Sequence, residues 1–299
     1  MPTAAPTRFI QPETLSRISN LELLARGVVE GFIGGLHKSP YKGVSVEFMS
    51  YRPYIHGDDP MHVDWKLFAR TDRYYVKEFE DETNTSMNLL VDVSHSMGYG
   101  SGSMDKLTYG FYLAASLAYL MVRQRDAVGL TLFDEQIVKR VPPKSTKTHL
   151  MTLLMSLEEA RLGARTDVGK PLHELAEQQR KRGFMVLISD LLGDVDALTE
   201  GLKHFRFRGH DVLVFHILDP QEVRFEFSDL VEFEDMETGE TILVEAAAAR
   251  ELYLENFTRF QDTLRRECGL LGIDYIPLTI DQPLDFALFE YLAARKRRG

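Results

Sequence analysis

Asp92, Ser94 and Ser96 stand two residues apart in NLLVDVSHSMGYGSGSMDKLTYG, the stretch from Asn88 to Gly110. Residues at that spacing in an extended segment point the same way, so one carboxylate and two hydroxyls converge. A second acid, Asp190, closes the apolar run FMVLISD, and Thr166 lies between the two acids in ARTDVGKPL. Two carboxylates with three hydroxyls form an all-oxygen set suited to a hard cation, Mg²⁺, Mn²⁺ or Ca²⁺. The only cysteine, Cys268, is remote in sequence, which disfavours zinc. The plainer roles for these residues are local: an aspartate capping a turn, serines satisfying backbone groups, Asp190 capping the next helix.

The elements that must hold these residues follow from periodicity. MNLLVDV is a short, continuous apolar run of the kind that forms a strand buried on both faces, and FMVLISD and DVLVFHIL read the same way. Helices are expected from Lys106 to Gln124, over THLMTLLMSLEEA, from Pro171, over DALTEGLKHFRFR, from Ala246 to about Leu271 and from Pro283. AVGLTLF is a strand whose hairpin partner is QIVKRVP, and LVEFEDMETGETILVE reads as a second hairpin around Thr238 and Gly239. Repeated strand–helix–strand units predict an α/β, doubly wound, mostly parallel sheet with one antiparallel edge strand and helices on both faces. In such sheets ligands bind at the carboxyl ends of strands where the strand order reverses. Asp92 and Asp190 face one crevice if their strands are neighbours there, and that crevice is strongly anionic unless a cation fills it.

Ahead of this lies a different region. Leu15, Ile18, Leu21, Leu24 and Val28 recur at helical spacing, predicting an amphipathic helix that ends near Gly31, Gly34 and Gly35. Val44 to Tyr51 and Tyr74 to Glu80 read as strands. The expected division is a small α+β region over 1–84 and the doubly wound domain over 85–299.

Composition narrows the function. The 299 residues carry a formal net charge of -10, which argues against a general nucleic-acid or anionic-membrane role because the long-range field repels polyanions. A lone cysteine rules out an intramolecular disulfide and fits a reducing compartment. The expectation is a cytoplasmic protein without a membrane span, since the N-terminal stretch lacks a signal-peptide core and no apolar run is long enough to cross a bilayer.

DVSHSM resembles the D-x-S-x-S signature of the von Willebrand factor A fold, and Thr166 and Asp190 match, in order and context, the threonine and aspartate of its metal-ion-dependent adhesion site. The likeness spans about Met87 to Thr279. Upstream, GLHKSPYKGVSVEFMSYRPYIHGDDPMHVDWKLFARTDRYYVKEFEDE resembles the segment marking a bacterial family of unknown function, MoxR-associated proteins with such a domain. The resemblance implies a non-enzymatic binding module that works as an adaptor with a MoxR-type AAA+ ATPase. In it Ser94, Ser96 and Thr166 contact the metal, Asp92 and Asp190 act directly or through water, and a client protein supplies a carboxylate at the open position. His95 departs from the small residue common at its place and is expected to point outward.

Other motifs yield less. GYGSGSMDK lacks the G-K-[ST] ending of a phosphate loop. A phosphatase of the haloacid-dehalogenase type needs a second acid where Ser94 stands. A Mg²⁺-dependent hydrolase using Asp92 or Asp190 with His95 as base is the enzymatic alternative, and a structural interaction domain with an empty metal site is the third reading. His37, His56 and His62 match no standard zinc spacing. Arg52, Lys66, Arg70, Arg73 and Lys77, interleaved with aromatic residues, form the one basic concentration, read as a solvated face or as a docking surface for an acidic partner.

Overall fold

The structure is a computed structural model that describes residues 20–36, 50–54, 74–78, 86–163, 168–179, 181–235 and 239–296. Its centre is a six-stranded sheet. The strands are β3 (Ser86–Asp92), β4 (Ala127–Phe133), β5 (Ile137–Lys144), β6 (Phe184–Ser189), β7 (Asp211–Leu218) and β10 (Asp274–Thr279). They lie in the order β10-β7-β6-β3-β4-β5. All neighbours are parallel except β5, which returns antiparallel along β4 as the edge strand. The α/β doubly wound arrangement expected from the sequence is the one observed.

Strand periodicity divides the core in two. Leu89 and Val91 of β3, Val186 and Ile188 of β6, and Leu213 and Phe215 of β7 face one layer of helices: α1 (Leu21–Leu36), α2 (Lys106–Arg123), α3 (Lys147–Glu159) and α8 (Leu284–Lys296). The alternate residues Leu90, Met185, Leu187, Val212 and Val214 face α4 (Gly169–Gln178), α5 (Val195–Phe207) and α7 (Ala246–Leu270). A strand covered on both faces has no polar side to show, so these strands read as continuous apolar runs.

Helix α2 is buried around most of its circumference because α1 packs across its outer side. Leu21, Leu24, Ala25, Val28, Val29 and Phe32 of α1 join the same core as the sheet. The amphipathic helix read from the sequence thus covers the main sheet's helix layer. It runs through Gly31 to Leu36, whereas Leu15 and Ile18 lie outside the described residues. The helix expected to open at Pro171 begins at Gly169. The N–H groups of a helix's first turn have no partner within the helix, so proline fits there as readily as at the first position.

Two small antiparallel ribbons lie outside the main sheet among the described residues. β1 (Ser50–Pro53) pairs with β2 (Tyr75–Glu78), and β8 (Leu230–Glu234) pairs with β9 (Thr241–Glu245). A short helix, α6 (Pro220–Arg224), links β7 to the second ribbon.

Candidate functional site

β3 lies between β4 and β6; the chain leaves it through α2 to β4 on one side and returns to β6 on the other. Its carboxyl end beside that of β6 is the switch point of the sheet. Asp92 is the last residue of β3 and Asp190 directly follows β6, so the two acids do share the crevice.

The three oxygens of D-x-S-x-S are gathered there. Asp92 and Ser94 are fully buried and Ser96 nearly so, while His95 between them is partly exposed. The Ser94 N–H donates to Asp92 Oδ1 at 2.9 Å, and the Ser94 and Ser96 hydroxyl oxygens lie 3.2 Å apart. That spacing is close to the edge of an octahedron, about 3 Å, around an ion with Mg²⁺-like bonds of about 2.0–2.1 Å. Ser189, not singled out from the sequence, donates its hydroxyl to Asp92 Oδ2 at 2.5 Å and accepts from the Leu191 N–H at 2.9 Å. Leu191 has φ 55°, a left-handed conformation uncommon for a residue with a side chain, which turns the backbone sharply beside Asp190. Asp190 does not cap the next helix; that role falls to Asp194, which accepts from the Asp196 and Ala197 N–H groups.

Lys106, read from the sequence only as the start of a helix, lies at the centre of the site. Its side chain is buried, and Nζ donates to Asp190 Oδ2 at 2.8 Å and to Glu222 Oε1 at 2.7 Å, with the Tyr99 ring centroid 5.7 Å away. Burial works against the ammonium, but Asp190 and Glu222 outweigh it and raise its pKa. The signal available in the sequence was a lysine opening an otherwise apolar helix ten residues after Ser96.

Asp92 has no such cation. Its partners are the Ser189 and Ser94 hydroxyls and the Ser94 N–H, and among the described residues it forms no ion pair. Burial, and then repulsion from Asp190, push its pKa up to about 7. Asp190 and Glu222 share the one ammonium of Lys106 and Asp92 adds a third carboxylate beside Asp190, so the cleft carries excess negative charge whenever Asp92 is ionised.

The surrounding loops are pinned. Asp219 accepts both the N–H and the hydroxyl of Ser101, at 2.7 and 2.6 Å, tying the glycine-rich loop to α6. Gly163 donates its N–H to the Val93 carbonyl at 2.7 Å, and a Cβ there would overlap the Asp134 carboxylate. This anchors the loop that leads to Thr166, which itself lies outside the described residues. A cleft of ≈ 300 Å³ opens beside Asp190, lined by Val168, Leu191, Leu192 and Asp194 among others. Of the basic concentration, Arg52 lies in β1 and Lys77 in β2; Lys66, Arg70 and Arg73, like His37, His56 and His62, lie outside the described residues.

The profile of the family described as "Protein of unknown function DUF58" matches residues 50–263, well over half of the sequence. The chain belongs to the DUF58 family. An uncharacterized protein of Mycobacterium tuberculosis, Rv1480, is 28% identical to this DUF58 chain over 231 residues, covering 76% of it and 72% of the relative. An uncharacterized protein of Mycobacterium avium, MAV169, is 34% identical over 105 residues, 34% of this chain and 61% of its own. Among solved structures, BatB from Bacteroides thetaiotaomicron is similar at 14% identity, covering 71% of this chain and 98% of its own with a TM-score of 0.47. The SpRpn10 VWA domain is similar at 12% identity, covering 69% and 94% with a TM-score of 0.38. Among the described residues of this DUF58 protein, no helix is long and apolar enough to cross a membrane.

Proposed function

We propose that this protein is a non-enzymatic binding module whose docking depends on a divalent cation, Mg²⁺ or Mn²⁺, held by Asp92, Ser94, Ser96, Thr166 and Asp190. The observation that carries the reading is Asp92: a fully buried carboxylate at the switch point, facing Asp190, with buried hydroxyls beside it and no cation of its own among the described residues. All-oxygen donors of this kind suit a hard cation, which when bound offers an open position to a carboxylate from a client protein. The cleft lined by Val168, Leu191 and Leu192 gives such a client apolar surface beside that position. The resemblance of the N-terminal segment extends the proposal to an adaptor that presents clients to a MoxR-type AAA+ ATPase.

A second reading has its own support. Lys106 already supplies Asp190 with an ammonium, so the module can instead be ion-free, with Asp92 held neutral by its proton. Calorimetric titration of Mg²⁺ and Mn²⁺ into chelator-treated protein, with Asp92→Ala alongside, separates the two. Binding of about one ion per chain, lost in the variant, is expected on the first reading. Absence of heat with either ion, or equal heat in both proteins, would sink it in favour of the second. Turnover of a phosphoester panel with Mg²⁺, abolished by Asp92→Ala, would overturn both and restore the hydrolase alternative.

A further inference from the structure

Away from the Asp92 cleft, α4 and α5 meet at close range. A Cβ on Gly169 would lie 2.7 Å from the Ala197 Cβ, and one on Gly201 would lie 2.8 Å from the Leu172 Cβ. Small residues on facing helices bring the two backbones together, and the longer side chains that flank the seam are forced into register. His173, one residue after Leu172, and His204, three after Gly201, are such a pair. Their Nδ1 atoms lie 3.2 Å apart, and their ring centroids lie 4.5 Å apart at an interplanar angle of 43°. The other edge of the His173 ring faces a carboxylate, with Nε2 3.7 Å from Glu177 Oε1. An acid on that side favours the tautomer that carries its proton on Nε2 and leaves a lone pair on Nδ1, the arrangement seen around ligating histidines.

We propose that His173 and His204 form a two-imidazole site for a divalent transition-metal ion, Zn²⁺ or Co²⁺, clamped between α4 and α5. Two nitrogens 3.2 Å apart, each about 2.0–2.1 Å from one ion, subtend about 100–105° at it, near the tetrahedral angle. Imidazole nitrogens select such ions over Mg²⁺, so the site is chemically separate from the all-oxygen cleft and does not depend on it. Among the described residues no group of three or more His, Cys, Asp or Glu is placed to hold a metal, so water or a partner's ligand completes the coordination. Both rings reach solvent, His173 more than His204, which leaves the ion a way in. Without metal the pair shares one hydrogen bond, which needs a proton on one Nδ1; binding moves that ring to its Nε2–H tautomer, with no net proton released.

The position gives the clamp a consequence. Helix α4 begins three residues after Thr166, and α5 begins five residues after Asp190. An ion on the pair therefore ties together the helices that follow two of the three loops of the cleft.

Titration of Zn²⁺, and separately of Co²⁺, into chelator-treated full-length protein tests this, comparing wild type with His173→Gln, His204→Gln and Asp92→Ala. The expected result is one Zn²⁺ bound with affinity reduced roughly tenfold or more in each histidine variant and unchanged in Asp92→Ala. Co²⁺ is expected to give the visible absorption of a tetrahedral centre, lost in both histidine variants. The substitutions lie on the surface, so the metal-free melting temperature serves as the check that each variant is folded. Zn²⁺ binding of equal strength in wild type and the histidine variants, or no binding in wild type, would overturn the proposal.

Discussion

Lys106 Nζ and Asp190 Oδ2 lie 2.8 Å apart with both side chains only 1% exposed, a fully desolvated ion pair joining the first turn of α2 to the end of β6. The partner it shares, Glu222, is 19% exposed and belongs to α6, so one ammonium gathers three elements at the switch point.

Removing one member of a buried ion pair leaves the other charge uncompensated, a loss of about 3–5 kcal/mol. Lys106→Met is therefore expected to lower the unfolding free energy by about that amount, since two carboxylates lose their cation. Asp190→Asn in the same chain removes part of the stranded charge, so the double variant is expected to be less destabilised than the sum of the singles. Urea denaturation of all four proteins measures the coupling; strictly additive losses would show that the pair is not one unit.

The Asp92 carboxyl has its pKa raised from 3.8 in the unfolded chain to about 7 in the fold, by burial and then by Asp190. Between those values the folded state binds more protons than the unfolded state, so this group's contribution to stability declines as pH rises from about 4 to about 7 and is flat above. Asp92→Asn in chelator-containing buffer is expected to abolish that decline. Melting curves across the window check it, and a variant that declines as steeply as wild type would place the titration elsewhere.

His216 works in the opposite sense. It is fully buried, its Nδ1 lies 2.5 Å from the Tyr275 hydroxyl oxygen, and Nε2 has no hydrogen-bond partner among the described residues. Burial pushes its pKa down from 6.5 to about 4, with Asp190 opposing. The unfolded chain then binds the extra proton between those values, so stability is lost as pH falls from about 6.5 to about 4. His216→Phe is expected to be less stable than wild type at neutral pH but to lose less on acidification. A variant that is acid-sensitive to the same degree would refute the assignment.

Gly163 has no room for a side chain against Asp134 and holds the Val93 carbonyl. Gly163→Ala is expected to cost about 1–3 kcal/mol, as overpacking does. Because the strain falls on the loop that carries Thr166, divalent-ion affinity is expected to drop with it. Unchanged stability and affinity, read by denaturation and calorimetry, would mean the loop yields freely.

Much of this protein is written in local pattern. Apolar runs such as FMVLIS are too short for a core helix and have no polar face to meet water, so they read as strands covered on both sides, and their alternation with helical segments points to a parallel sheet. The D-x-S-x-S spacing marked Asp92, Ser94 and Ser96 as one group, but the extended geometry expected of it stops short of Ser96: the strand ends at Asp92, and a single 3-10 turn, His95–Gly98, opening after Ser94, carries the Ser96 hydroxyl to the Ser94 hydroxyl. What lay beyond local pattern was charge pairing. Nothing near Lys106 in sequence tells that Asp190, 84 positions on, and Glu222, 116 positions on, close around its ammonium. Nor does local sequence tell that Ser189 would give its hydroxyl to Asp92, or that Gly169 and Gly201 would draw His173 against His204. Periodicity is a property of neighbours along the chain and survives in any fold of the same elements. The partner of a buried charge is set by which strands and helices lie side by side, and only the assembled sheet decides that.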